Sequence, residues 1–317
     1  MVRKNLDLVW DNIAQVENVN LESKTESSNS VNILMNAFSR LEEIRGQNIV
    51  IKLPCDIIKS EKKLENFAKD VAILKSLDIS MIIVHDYYNI TDESEDMLNE
   101  KEKFSITQFS NHKSVQFMEM VVSGYINKKI TSAINKAGAN AVGISGKDCN
   151  LIQARKFNIA TKRTNEKEDS IIDMGVMGDP TLVNPEILLD MENSDVVTVL
   201  APIAYGENGE SFLLDANLTA AIISSSISAS RLFILHSDGG IKSQDDKLLS
   251  TMNLNDLKSI KNKMEFSREY LDIVEASISS IENYTEFVHL IDSKIDHGML
   301  LNLFTDDNEI GTIISME

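Results

Sequence analysis

Four short apolar runs in this sequence end in residue types that can do chemistry. Asn48 to Leu53 (NIVIKL) carries Lys52 near its end, and Ser80 to His85 (SMIIVH) closes on His85. Arg231 to His236 (RLFILH) closes on His236 and opens into Ser237, Asp238, Gly239 and Gly240. Ala141 to Ser145 (AVGIS) runs into Gly146, Lys147 and Asp148. Small residues, a glycine and a lysine behind a buried strand suit an anion, because backbone N–H groups can approach it and an ammonium neutralises it. The same turn also reads as an ordinary β-turn with a solvated lysine. Lys52 likewise reads as a catalytic cation or as a plain strand-end lysine. His85 and His236 suggest metal or acid–base work, or else two satisfied packing histidines. Cys55 and Cys149 stand alone in the sequence, which argues against a structural zinc site and against a disulfide framework.

Periodicity supplies the elements that must position these side chains. Val122, Tyr125, Ile126, Lys129, Ile130 and Ile134 recur at helical spacing before Gly138, predicting a helix with a left-handed glycine stop. Helices are also predicted over Val31 to Arg45, Lys62 to Leu77, Ala216 to Ser228, Leu254 to Ile260, Lys263 to Ile281 and Asp296 to Phe304. Another starts at Asn184, Pro185 and Glu186, with Asn as N-cap and Pro at the first helical position. Further strands are predicted at Leu151 and Ile152, Ile171 to Val176, Val196 to Pro202, Phe287 to Ile291 and Gly311 to Ser315. Gly178 to Pro180 reads as a turn, and Glu207 to Glu210 as a hairpin turn of the Asn-Gly type. Strands alternating with helices of this length predict an α/β fold with a mostly parallel sheet covered on both faces. Before all this, Met1 to Gln15 reads as an amphipathic helix and Glu22 to Ser30 as a polar linker.

The chain has 317 residues, a formal charge of −18 and a pI near 4.7. That balance argues against nucleic acid and anionic membrane surfaces as partners. No run approaches a transmembrane span, the first residues lack a signal-peptide core, and two cysteines fit a reducing compartment. The expectation is a soluble, cytoplasmic protein.

The order of segments resembles the N-acetylglutamate kinases of the amino acid kinase family. The likeness runs from about Leu34 to the C-terminus. Arg45 to Lys52, Glu119 to Val121, and Asn127 with Lys128 carry part of it. Val142 to Asp148, followed by Asn150 to Ile152, is the most specific stretch. Gly178, Val183 to Glu186, Ala201 to Ile203, Gly206, Leu303 to Asp306, and Gly311 with Thr312 complete it. The resemblance implies a three-layer αβα sandwich with an open, mainly parallel central sheet. After an N-terminal helix and linker over 1–30, it implies an amino-acid-binding and dimerisation lobe over 31–200 and a nucleotide lobe over 201–317. It also implies transfer of phosphate from Mg-ATP to the γ-carboxylate of N-acetyl-L-glutamate in arginine biosynthesis. Assembly as a homodimer is implied as well, or as a hexamer where an extra N-terminal helix is present.

Carried over residue by residue, the resemblance puts Lys52, Asn217 and Arg268 at or beside the family's catalytic positions. Asn217 stands where the family has an orienting aspartate, and Arg268 is one residue past Ser267, where the second lysine belongs. Lys147, Asp148, Asp238 and Gly240 fall at cofactor-binding positions. His85, Gln108, Leu213 and Asp215 fall at or near substrate-binding ones. Pro54 and Cys55 replace two glycines of the first phosphate loop; Asp86, Tyr87 and Tyr88 replace those of the second. Proline removes a backbone donor, while a carboxylate and two phenols add repulsion and bulk. Two readings follow: a divergent carboxylate kinase of weak or lost standard activity, or a non-catalytic paralogue that regulates or binds a ligand.

Overall fold

The computed structural model describes residues 35, 37–87, 112–161, 170–243, 245–263, 266–305 and 310–317. The predicted first helix and linker, the segment Asn89 to Lys103, Tyr88, Gln108 and Asp306 with Asp307 lie outside these. The chain up to Glu43 is one unit, helical over residues 37–43, and Ile44–Glu317 is another.

The second unit is built on an eight-stranded sheet. In chain order its strands are β1 (Asn48–Leu53), β2 (Ser80–His85), β3 (Ala141–Ser145), β6 (Val197–Ala201), β9 (Arg231–His236), β10 (Thr251–Asn253), β11 (Phe287–Asp292) and β12 (Gly311–Ser315). They lie in the order β10, β12, β11, β9, β1, β2, β6, β3, and every pairing is parallel except β11 with β12. The apolar runs are the central strands because both of their faces are covered. Period-two alternation divides them: Ile49, Ile51 and Leu53 enter one core with Phe67, Val71, Ile130, Ile134 and Leu303. Val50, Val84 and Leu232 enter the other with Ala220, Ile223, Leu257 and Val274. Helices Glu61–Ser76, Asn127–Ala137 and Gly298–Phe304 therefore cover one face, and Ala216–Ser226, Leu254–Lys263 and Arg268–Glu282 the other. This is the expected three-layer sandwich.

A smaller sheet of β4 (Ile152–Thr161), β5 (Ser170–Val183), β8 (Ser211–Leu213) and β7 (Ile203–Tyr205) closes on itself beside the main one. Its long β4–β5 pairing corrects one expectation: Gly178 to Pro180 is strand, with Gly178 opposite Lys156 and Pro180 opposite Ala154. Pro180 is tolerated there because the register shifts between Gln153 and Ala154, at a bulge where a ladder donor is dispensable. The Glu207–Glu210 turn is a hairpin as expected, but Tyr205 pairs with Ser211, so its loop is longer than a two-residue Asn-Gly turn. Gly209 takes its left-handed position at φ +86°.

Other elements differ in detail. Pro185 is the N-cap of Glu186–Asn193, while Asn184 Oδ1 accepts the Glu186 N–H. The predicted helix Lys263 to Ile281 is corrected at its start: the helix begins at Arg268, with Ser267 as its N-cap. The last helix begins at Gly298 rather than Asp296. The helix ahead of Gly138 contains a π segment, Met120–Ile126, before Asn127–Ala137. Val122, Ile126, Ile130 and Ile134, all fully buried, stand four residues apart, and in an α-helix each such step drifts about 40° around the axis. The wider π turns offset that drift and keep the stripe on one face. Gly138 caps the helix at φ +106°, as its position predicts.

Candidate functional site

Parallel register brings the chemistry-bearing residues to one edge of the sheet. Leu53 pairs with His85, Ser145 with Ala201, and Asp292 with His236, so the loops after β1, β2, β3 and β9 leave from the same edge. The chain runs outward on both sides of β1, which pairs with β9 and β2, and such a switch point is where α/β sheets place ligands.

Lys52 lies on the face of β1 that carries Val50, only 3% exposed. Its ammonium is 3.3 Å from Asp86 Oδ2, a carboxylate that retains 14% exposure. Asp86 follows β2 in phase with Val84, and its backbone N–H donates to the Leu53 carbonyl at 2.9 Å, extending the β1–β2 ladder by one residue. Its Oδ1 accepts the Tyr87 N–H at 2.7 Å. Tyr87 turns to the opposite face, is fully buried, and donates its hydroxyl to the Leu214 carbonyl at 3.1 Å. The carboxylate is thus fixed over the end of β1. Burial, and next the Asp86 charge, push the Cys55 thiol far above its ordinary range.

Asp215 joins this group from the other side. It is the N-cap of Ala216–Ser226, accepting the Leu218 N–H at 2.8 Å. Burial raises its carboxyl pKa; Asp86 raises it further, and the Leu218 hydrogen bond and Lys52 oppose the shift. Asn217, in the same first turn, is buried, and its Oδ1 has no hydrogen-bond partner. Lys52, Asp86 and Asp215 therefore form one electrostatic group, with an unsatisfied amide acceptor close to Asp215 in sequence.

His85 belongs to the other face. Asn127 Nδ2 lies 3.4 Å from His85 Nε2 and donates to the Val199 carbonyl at 2.9 Å. With Nε2 accepting, the ring proton sits on Nδ1 and is donated to the Asp86 carbonyl at 3.1 Å. Complete burial holds this imidazole neutral, with its pKa lowered to about 4. His236 faces the opposite core from His85, edge-on to Tyr270, and its Nδ1 accepts the Asp238 N–H at 3.1 Å. The two histidines are not brought together. Among the described residues no three His, Cys, Asp or Glu side chains cluster to hold a metal.

The loop after β3 is tightly satisfied. Asp148 Oδ2 accepts the Ser145 N–H at 2.6 Å and the Ser145 hydroxyl at 2.9 Å. Half-buried Lys147 donates to Glu119 Oε1 at 2.7 Å and to Ser211 Oγ at 2.9 Å, and Ser211 donates to Glu119 Oε2 at 2.9 Å. A Cβ on Gly146 would meet the Ile203 carbonyl at 2.3 Å, so close backbone approach demands glycine there. After β9, exposed Asp238 leads to Gly239, at φ +67°, and to Gly240, where a Cβ would meet Thr312 Oγ1 at 2.4 Å. Tyr270 donates its buried hydroxyl to the Gly239 carbonyl at 3.2 Å. Ser267 Oγ accepts the Tyr270 N–H, and Arg268 is exposed as the first residue of its helix. Leu213 is buried at the end of β8. Sequence reasoning missed Glu119 as the partner of Lys147 and the pairing of Asp86 with Lys52. The second was available from strand phase alone, since Asp86 is two residues past Val84, the register partner of Lys52.

The fold and the edge of its sheet define a class. Residues 47–290 match the model of the amino acid kinase family, and the chain belongs to it. Its relatives narrow this. An acetylglutamate kinase of Ehrlichia chaffeensis is 32% identical over 279 residues, 87% of each chain. One of Marinobacter nauticus is 31% identical over 89% of this chain and 98% of its own. An N-acetylglutamate synthase of Neisseria gonorrhoeae, solved with coenzyme A and N-acetyl-glutamate, superposes with TM-score 0.74 and 20% identity. That match covers 90% of this chain and 63% of the other, and shows the shared fold.

A phosphoryl group beside Lys52 would have to compete with a carboxylate already in place. The ammonium that would neutralise it is already paired with Asp86, and Ser267, at the other expected lysine, caps a helix.

Proposed function

We propose that this chain is a carboxylate kinase of the acetylglutamate kinase type whose standard reaction is strongly attenuated. That reaction is ATP-dependent phosphorylation of the N-acetyl-L-glutamate γ-carboxylate in arginine biosynthesis. The observation that carries the reading is a buried lysine ammonium, Lys52, at the switch-point edge of a family sheet. In this reading residues 31–200 bind the acidic small molecule and residues 201–317 the nucleotide. ATP would lie toward Lys147, Asp148, Asp238 and Gly240. Mg would ride mainly on its phosphates, which asks little of the protein. His85, Leu213, Asp215 and Gln108 mark the substrate side. Cytoplasmic location and assembly as a homodimer or hexamer belong to the same proposal, and light scattering on the purified chain checks the subunit count.

Attenuation follows from charge. Phosphoryl transfer relies on positioning and on neutralising the transferring group, and kinases in general turn over at roughly 1–100 per second. Here the one buried cation of the group is already neutralised, and Asn217 brings no charge. A coupled ADP-release assay at saturating Mg-ATP and N-acetylglutamate should show turnover at least about a thousandfold slower, about 4 kcal/mol of barrier, and lost in Lys52→Met. Turnover at the ordinary rate refutes attenuation. The Lys52–Asp86 pair favours one second reading, a non-catalytic subunit acting by co-assembly or ligand binding. It predicts no ADP release at all, with melting still shifted by an acidic amino-acid ligand.

A further inference from the structure

We propose that Asp86 is a built-in occupant of the position beside Lys52 that a phosphoryl group would take, and so the residue that sets this cleft against phosphorylated ligands. The inference rests on the proposed placing of the phosphate end of the cleft at Lys52. Asp86 is not a mobile surface carboxylate. Its backbone continues the sheet through the Leu53 carbonyl, and its Oδ1 is held by the Tyr87 N–H. Tyr87 is itself anchored in the core through Leu214. That leaves Oδ2 aimed at Lys52. The Asp86 charge also reaches Cys55 in the turn after β1 and Asp215 at the start of Ala216–Ser226. An incoming phosphate there would lose the Lys52 charge and meet a carboxylate in its place. Asp215, within electrostatic reach of Lys52, adds a second carboxylate rather than a donor.

Asp86→Asn tests this, since it keeps the size and an acceptor for Tyr87 N–H while removing the charge. Calorimetric titration of the full chain with Mg-ATP, and separately with inorganic phosphate, compares wild type, Asp86→Asn and Lys52→Met/Asp86→Asn. Asp86→Asn should bind at least one probe tenfold or more tighter than wild type, and the double variant should lose that gain. Equal affinity in wild type and Asp86→Asn overturns the proposal, as does a gain that survives loss of Lys52. If Asp86→Asn folds poorly, Asp86→Gly opens the same position, and phosphate should raise its melting temperature but not that of wild type. Phosphate gained by Asp86→Asn with no turnover in either protein supports this inference and sinks the kinase reading. Wild-type turnover with no gain in Asp86→Asn does the reverse.

Discussion

Deleting the Asp86 carboxylate while leaving Lys52 in place puts the largest strain on the site. Two unit charges 3.3 Å apart attract by about 5 kcal/mol at an effective dielectric of about 20. Desolvating both ions cancels much of that, so the intact pair adds little net stability. Breaking it is different. Asp86→Ala strands an ammonium that is 3% exposed, and an uncompensated buried charge costs about 3–5 kcal/mol. Because the Asp86 side retains 14% exposure, water reaches it and the lower end, about 3 kcal/mol, applies. The Tyr87 N–H also loses its acceptor, adding about 1 kcal/mol. Lys52→Met in the same background removes the stranded charge and should recover at least half of the loss. Equilibrium denaturation of wild type, both single variants and the double, in phosphate-free buffer, measures this. A loss under about 0.5 kcal/mol for Asp86→Ala, the range of ordinary surface changes, refutes the buried pair. So does a double variant no more stable than Asp86→Ala.

Three further perturbations separate fold from site. Tyr87→Phe leaves the Leu214 carbonyl without its hydroxyl donor and should cost about 1–3 kcal/mol in chemical denaturation. Gly143→Ala drives a Cβ into Asn127 Oδ1 and so displaces the amide whose Nδ2 bridges His85 and Val199, and overpacking of this kind should cost at least about 1–3 kcal/mol. Burial lowers the His85 pKa to about 4 from 6.5, so below pH 6.5 the unfolded ring binds a proton that the folded one refuses. Stability should therefore fall as pH drops from about 6.5 to about 4, by about 3 kcal/mol from this group. His289, lowered to about 3 by burial and by Arg231, adds a fall of the same sign. In His85→Gln the His85 share of the acid slope should vanish while that of His289 remains, and urea titrations across this range that show an unchanged slope refute the assignment.

Much of the scaffold was legible because strands such as NIVIKL, SMIIVH and RLFILH are apolar on both faces and end in polar residues. The sheet edge, and with it the company of Lys52, His85 and His236, followed from parallel alternation. What could not be read was the use of phase. Treated as neighbours at strand ends, His85 and His236 suggested a pair; one residue of phase sends each ring into a different core. Gly178 to Pro180 reads as a turn by residue type, and only the long β4–β5 pairing, with its bulge, overrides that local preference. The π segment hides in a pattern whose four-residue spacing still looks helical.

The same phase separates what the fold asks of residues 86 and 87 from what the Asp86 side chain does. After β2 the fold asks residue 86 for a backbone N–H to the Leu53 carbonyl, and residue 87 for bulk in the core. Every residue but proline supplies the first. Tyr87 supplies the second, and fastens the loop by its hydroxyl. The side chain of residue 86 then faces Lys52, where core packing does not choose its chemistry. A carboxylate satisfies the buried ammonium by itself, without a bound anion. Stability and phosphate binding are thereby set against each other at one position: a substitution that frees Lys52 for a ligand must also strand it in the absence of that ligand.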